Sequence, residues 1–362
     1  MSQTAQRSIE IDFFRGFALI AIALDHIPSS VLSHGMLHTF AYCDSAEVFV
    51  FVSGYVSAAS WLAIAARKGT DAANWRFFRR SREIYAAYLC AAVLMLLSGA
   101  AAVGLRVDSP LVGVSGFERF AAHPFAMLGN IAIFRDQPYL AGVLPLYVVL
   151  VLALPLVMPL ARRAPAAALL GSFALWFASS WLGRYLPSVP GSIWPFNPFA
   201  WQAMFMLGLL CRLYPVSDAF QTSRFGRTLT LLACVLLAAF AFVRLFVEVD
   251  PQPGYMKQNL ASVRIVSFAT VAWLAAQATR LGWVGWLARR LPGIVTVGQQ
   301  GLVCFVGGAL ASNTIDTLLH ATHSTTLLPT RLLGDALAIG ALLMLAGGAR
   351  RWKAVRPRVA LT

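Results

Sequence analysis

Runs of about 20 mostly uncharged residues recur from one end of the chain to the other, and each is long enough as a helix to cross a hydrocarbon core of about 30 Å. Ten such runs are legible, at 12–32, 45–66, 83–103, 140–160, 165–183, 197–213, 227–246, 258–279, 293–312 and 327–348. They leave no room for a separate soluble domain. The composition agrees, with 59% apolar and only 12% charged residues among 362, against roughly 25% charged in a soluble domain. The expected fold is all-α: a polytopic membrane protein, a bundle of about ten transmembrane helices, forming a single integral membrane domain over residues 1–362.

The net charge of +14 raises nucleic acid as a partner, but the arginines sit in short connections between apolar runs and have no folded surface to form a binding patch. Topology explains the charge better. The segments before the first run, after every second run and after the last hold 20 of the 29 lysines and arginines, whereas the opposite connections hold only Arg106, Arg119, Arg135, Arg184 and Lys257. By the positive-inside rule both termini are cytoplasmic. The first run carries acidic and basic residues and is followed by no small-residue cleavage site, so it reads as a retained helix and not as a signal peptide. Five scattered cysteines, without CxxC or Cys/His spacing, argue against a disulfide framework. His320 and His323 have only Asp316 near them, so no metal is expected.

Ionisable residues inside such runs are costly and mark functional sites. The first run holds Asp12, Arg15, Asp25 and His26. Arg15 and His26 fall within about 20° of each other around an ideal helix and about 16 Å apart along it. They share a face but cannot pair. Asp12 lies one turn before Arg15, close enough to pair with it. His26 is the group suited to proton transfer near neutral pH. Asp25 points about 100° away from it on an ideal helix, and supports it only if the helix unwinds before Pro28.

The second run opens with Asp44 and Glu47, one turn apart at the same end of the bundle as His26. Gly54 follows seven residues after Glu47 on a face that could approach another helix closely. Glu47 is suited to holding a protonated imidazole or to accepting hydrogen bonds from a sugar, and Asp44 equally to stabilising the helix start. Residues 74–83, Asn-Trp-Arg-Phe-Phe-Arg-Arg-Ser-Arg-Glu, alternate rings and guanidinium groups as a cytoplasmic interfacial helix would. That cluster could meet anionic lipid phosphates or a soluble anion. Residues 117–134, broken at His123-Pro124, read as a surface or re-entrant segment. His34 and His38 read as solvated loop residues. Arg264 and Arg331 enter the outer half of the membrane and call for carboxylate partners or an anionic acyl group.

Several of these stretches resemble one family. Arg15 and His26 in the first run, with Phe78-Arg79-Arg80-Ser-Arg82 after the second, resemble the hallmarks of the acyltransferase family 3 membrane acyltransferases, and Glu10-Ile-Asp-Phe-Phe-Arg15-Gly, Leu24-Asp-His-Ile-Pro28, Ser45-Ala-Glu-Val-Phe-Val-Phe-Val-Ser-Gly-Tyr55, Leu144-Pro-Leu-Tyr147 and Phe196-Asn-Pro-Phe-Ala-Trp-Gln202 occur in the order seen in their OpgC branch. The last third is similar only through Gly298-Gln-Gln-Gly301. The chain departs from the branch at Ala141-Gly142-Val143, where an acidic residue is expected, and Asp136 is the substitute within reach.

The resemblance implies an O-acyltransferase of the bacterial inner membrane. Acyl-coenzyme A, with a succinyl or acetyl group, would enter from the cytoplasm, and a hydroxyl of a periplasmic glycan would receive the acyl group. His26 would act as general base, with Asp25 and Glu47 as its catalytic partners. Arg15, Arg79, Arg80 and Arg82 would bind the coenzyme A, and Asp44, Trp201 and Gln202 the acceptor. The partners are then membrane lipids, acyl-coenzyme A and the glycan, with a homo-oligomer allowed and no nucleic acid or metal. Ser53 has no base at catalytic spacing, so a serine acyl-enzyme is not expected. From the residues alone, the rival is a transporter or flippase that uses the same buried charges to bind substrate or relay protons.

Overall fold

The structure, a computed structural model, describes residues 8–107, 113, 115–248 and 252–355. Arg7, Arg356 and Arg358, which contribute to the basic termini, lie outside them. Among the described residues every regular element is helical, and the chain is a multi-pass membrane protein.

Helix α1 (Ile9–Asp25) starts where the Ser8 side chain accepts a hydrogen bond from the Ile11 N–H, with Glu10 and Asp12 in its first turn. Acidic residues there suit the positive end of the helix dipole. It stops at His26, two residues before Pro28. Helix α2 (Ser45–Lys68) opens on a reciprocal cap: Asp44 accepts from Ala46, and the Glu47 carboxylate accepts from the Asp44 N–H at 2.9 Å. Helix α3 (Thr70–Gly104) runs for 35 residues. The basic segment 74–83 is thus no separate interfacial helix but the first turns of α3, because neither glycine nor proline interrupts the chain before Gly99.

The remaining principal helices are α4 (Val143–Arg163), α5 (Pro165–Phe177), α6 (Pro198–Leu213), α7 (Arg224–Phe246), α8 (Ser262–Arg280), α9 (Trp283–Arg290), α10 (Pro292–Gln299), α11 (Gly301–Ala321) and α12 (Leu328–Val355). Among the described residues six helices, α2, α3, α4, α7, α11 and α12, are long and apolar enough to cross a membrane, and α5 with Ser179–Tyr185 forms a bent pair that passes together. The ten runs therefore exceed the helices that qualify. Helix α1 has 17 residues, several of them charged. Helix α8 carries Arg264, Ser267, Thr270 and Gln277 on its buried side, and the ninth run is broken at Gln300 into α10 and α11.

Glycines set the closest packing. A Cβ at Gly54 of α2 would collide with the Phe205 carbonyl of α6, and one at Gly208 of α6 with the Phe51 carbonyl of α2. The same exchange joins α1 and α10, where Gly16 meets the Ile294 carbonyl and Gly298 the Asp12 carbonyl. Small residues that let helix backbones approach are the main packing device in a lipid solvent. Two short helices, Phe117–Ala122 and Pro124–Ala132, form the segment broken at His123, and the Tyr85 and Tyr88 hydroxyls of α3 donate to the Ala132 and Ile131 carbonyls at its end.

Candidate functional site

Two cavities lie between α1, α2, α4 and α11. The larger, about 680 Å³, is lined at its basic end by Arg76 and Arg80 of α3 and Arg212 of α6, and deeper by Arg15, Ser53, Tyr147 and Gly301. Arg76 and Arg80 are four residues apart and share a helix face; the same period turns Arg79 and Arg82 outward. Arg79 is largely exposed and Arg82 is exposed, and neither lines the cavity. Glu83 draws the cluster together, accepting from Arg76 at 3.2 Å and Arg80 at 3.0 Å. The Arg15 guanidinium lies 6.0 Å from the centre of the Phe49 ring. It packs against Gly301, where a Cβ would stand 2.9 Å from its Nη2. Only the glycine that follows the α10–α11 break leaves that space.

The smaller cavity, about 130 Å³, is lined by Asp25 and His26 at the end of α1, Asp44 and Ser45 at the start of α2, Val143 of α4, and Lys257. Glu47 is fully buried beneath it. Arg264 of α8 answers the two carboxylates. Its Nε donates to Glu47 Oε1 at 2.6 Å, its Nη2 lies 3.1 Å from Asp44 Oδ2, and its Nη1 donates to Gln252 at 3.1 Å. The Lys257 ammonium is 2.7 Å from the same Asp44 oxygen. Buried charges survive only when paired in this way.

Phe49 and Phe305 line both cavities. Their rings are 6.1 Å apart and 15° from parallel, and Tyr147 packs edge-on against Phe49 at 5.4 Å. On α2, Phe49 separates Ala46 above from Ser53 below; on α4, Val143 lines the upper cavity and Tyr147, one turn on, the lower. The cavities are therefore end to end on one axis, with an aromatic partition between the Arg15 chamber and the His26 pocket.

Two readings of the sequence change. Asp25 pairs with His38, whose Nδ1 lies 3.4 Å from Asp25 Oδ1, so His38 is no free loop residue; this contact with the Asp25 carboxylate, opposed by partial burial, holds its imidazole above the ordinary value of 6.5. Glu47 is engaged by the helix cap and Arg264. Asp12, besides, accepts from Gln299 at 3.2 Å. Other candidates sit outside both cavities. Trp201 is fully buried and its indole N–H donates to the Lys257 and Gln258 carbonyls. Gln202 and Ser172 exchange hydrogen bonds between α6 and α5. Asp136 is buried against Arg119 at 2.7 Å. Arg331 donates to the Ser29 carbonyl at 2.6 Å.

The sequence reading placed Arg76 in the basic cluster but not among the residues binding coenzyme A, and it missed Arg212 and Lys257. Arg76 was findable, since it lies one helical turn before Arg80. Arg212 and Lys257 reach the cavities only through the packing of α6 and of the short helix Gly254–Gln258 before α8, which no local pattern encodes. Among the described residues no cluster of His, Cys, Asp and Glu has the makings of a metal site.

A family model described as OpgC protein matches residues 7–354. Nothing matches the chain among curated proteins or among solved structures.

Proposed function

We propose that this chain, which belongs to the OpgC protein family, moves an acyl group from cytoplasmic acyl-coenzyme A to a hydroxyl of a periplasmic glycan across the bacterial inner membrane. Membership implies a transferase of the acyltransferase type acting in glucan modification. The observation that supports the finer reading is the pair of coaxial cavities, one ending in arginines and the other in a histidine.

A chamber of 680 Å³ is within the size range of ligand sites, about 300–1,000 Å³. Arg76, Arg80 and Arg212 at its mouth suit nucleotide phosphates, since guanidinium groups bind phosphate oxygens in bidentate fashion. The pantetheine arm would run past Arg15 and bring the thioester to the aromatic partition. His26 then takes the proton of the acceptor hydroxyl, the oxygen attacks the carbonyl carbon, and the carbon–sulfur bond breaks as the resulting oxyanion collapses. The thiol of coenzyme A leaves by the basic end. The acyl group crosses without either substrate crossing with it.

Arginine binding and a proton-transfer histidine would also serve a transporter, but a transporter consumes no thioester. The test is a melting curve of purified protein with acyl-coenzyme A, followed by mass spectrometry of envelope glycans from cells with and without the protein. Stabilisation by the thioester and loss of an acyl mass from the glycans are expected. A protein that neither binds acyl-coenzyme A nor changes the glycans would end this reading.

A further inference from the structure

Acyl transfer needs a donor for the carbonyl oxygen as it becomes an oxyanion, and such a donor is commonly a large share of catalysis. We propose that Lys257 is that donor, a catalytic residue whose ammonium group hydrogen-bonds the oxyanion in the His26 pocket. The inference rests on the acyl-transfer reading above.

Lys257 and His26 line the same 130 Å³ cavity, so a carbonyl carbon attacked beside the histidine has the ammonium group on the same small volume. Arg264, the other cation here, is already committed to Glu47, Asp44 and Gln252. Lys257 has three N–H donors and one strong partner, Asp44, at 2.7 Å. Asp44 is shared with Arg264, so it orients the ammonium group without absorbing its whole charge. The stem is held as well. The ammonium lies 5.7 Å from the centre of the Phe196 ring, and the Lys257 carbonyl accepts from the buried Trp201 indole at 2.9 Å. The Asn197 N–H fixes the next carbonyl, of Gln258, at 3.0 Å. A donor fixed before the reaction starts costs no reorganisation when charge develops. Trp201 is then a positioning residue, acting through Lys257.

The step balances with the residues present. The acceptor O–H proton goes to His26, the new carbon–oxygen bond forms, and the carbonyl electron pair moves onto oxygen, where Lys257 donates a hydrogen bond and keeps its proton. Collapse breaks the carbon–sulfur bond, and the proton on His26 passes to the departing sulfur.

The test compares wild type with Lys257→Met and Lys257→Gln in proteoliposomes, using succinyl- and acetyl-coenzyme A and a glucan acceptor. Lys257→Gln retains a hydrogen bond to Asp44 and so guards against a folding defect in Lys257→Met. Expected is a fall in kcat of about 10²–10³-fold with both donors, at a KM for acyl-coenzyme A within about twofold. Unchanged kcat in Lys257→Met, with wild type active, overturns the assignment of Lys257 and leaves acyl transfer standing. A loss confined to KM for the succinyl donor also overturns it, placing Lys257 on the acyl carboxylate instead. A wild-type protein inert with both donors overturns the acyl-transfer reading and this inference together.

Discussion

The rings of Phe49 and Phe305 stack 6.1 Å apart between the chamber that holds Arg15 and the pocket that holds His26. Each ring comes from a different helix and touches both volumes. In an acyltransferase this partition keeps water from the thioester until the acceptor arrives. Phe49→Ala, which removes one ring, is expected to raise hydrolysis of acyl-coenzyme A without acceptor several-fold, and to cost about 3–5 kcal/mol of stability as a buried large-to-small change. Free-thiol release in the absence of glycan reads the first, and a melting curve the second.

The arginines of α3 divide by face. Arg80→Ala is expected to raise KM for acyl-coenzyme A by about tenfold, equivalent to about 1.4 kcal/mol, while Arg82→Ala stays within about twofold because its side chain is exposed outside the chamber. Steady-state kinetics on the two variants separate a phosphate site inside the cavity from a general attraction of the basic surface.

Gly301 is a steric requirement for Arg15. Gly301→Ala puts a methyl group 2.9 Å from Arg15 Nη2, so the guanidinium must move. Weaker acyl-coenzyme A binding with near-normal folding is expected, measured as a smaller thermal shift with ligand. Gly54→Ala differs, since its methyl group meets the backbone carbonyl of Phe205. Overpacking of that kind costs about 1–3 kcal/mol or more, and the yield of folded protein should fall with or without ligand.

The Asp25–His38 pair gives a signed pH dependence. The His38 pKa is raised in the folded protein by its contact with the Asp25 carboxylate, with Asp44 adding to the rise and burial and Lys257 opposing it. A raised histidine pKa favours the folded state fully below the unfolded value of about 6.5, and that contribution is lost as pH rises through the folded value. Thermal stability should therefore fall between slightly acid and alkaline pH by an amount that His38→Gln abolishes. A pH profile of melting temperature identical in wild type and His38→Gln would show that the pair carries no such linkage.

The parts of the fold that were legible in the sequence are those set by local pattern. Apolar runs located the helices, and Asp44 suited the start of α2, whereas the part of Glu47 in its cap was not read. The α10–α11 break was not legible, because Gly298-Gln-Gln-Gly301 reads as an ordinary polar interruption until Arg15 is seen to occupy the space beside Gly301. The candidate site divides in the same way. Arg15 and Arg80 line the larger cavity from faces that helical spacing fixes, and His26 and Asp44 line the smaller one from the ends of α1 and α2, where apolar runs end. The partner of Asp25 was not legible, since the turn at Pro28 and the short helix Leu37–Phe40 bring His38 back over the end of α1. Trp201 and Gln202 stood in a motif, but their polar atoms are spent on helix carbonyls, a distinction that needs the packing of α6 against α5 and the short helix before α8.

The most direct measurement is the rate of acyl transfer from labelled acyl-coenzyme A to glucan in proteoliposomes, for wild type and His26→Ala. Acyl transfer with His26 as base predicts a rate lower by about 10²–10⁴-fold in the variant, with the thermal shift on adding acyl-coenzyme A retained, since the Arg15 chamber is intact. An unchanged transfer rate in a folded His26→Ala protein would contradict it.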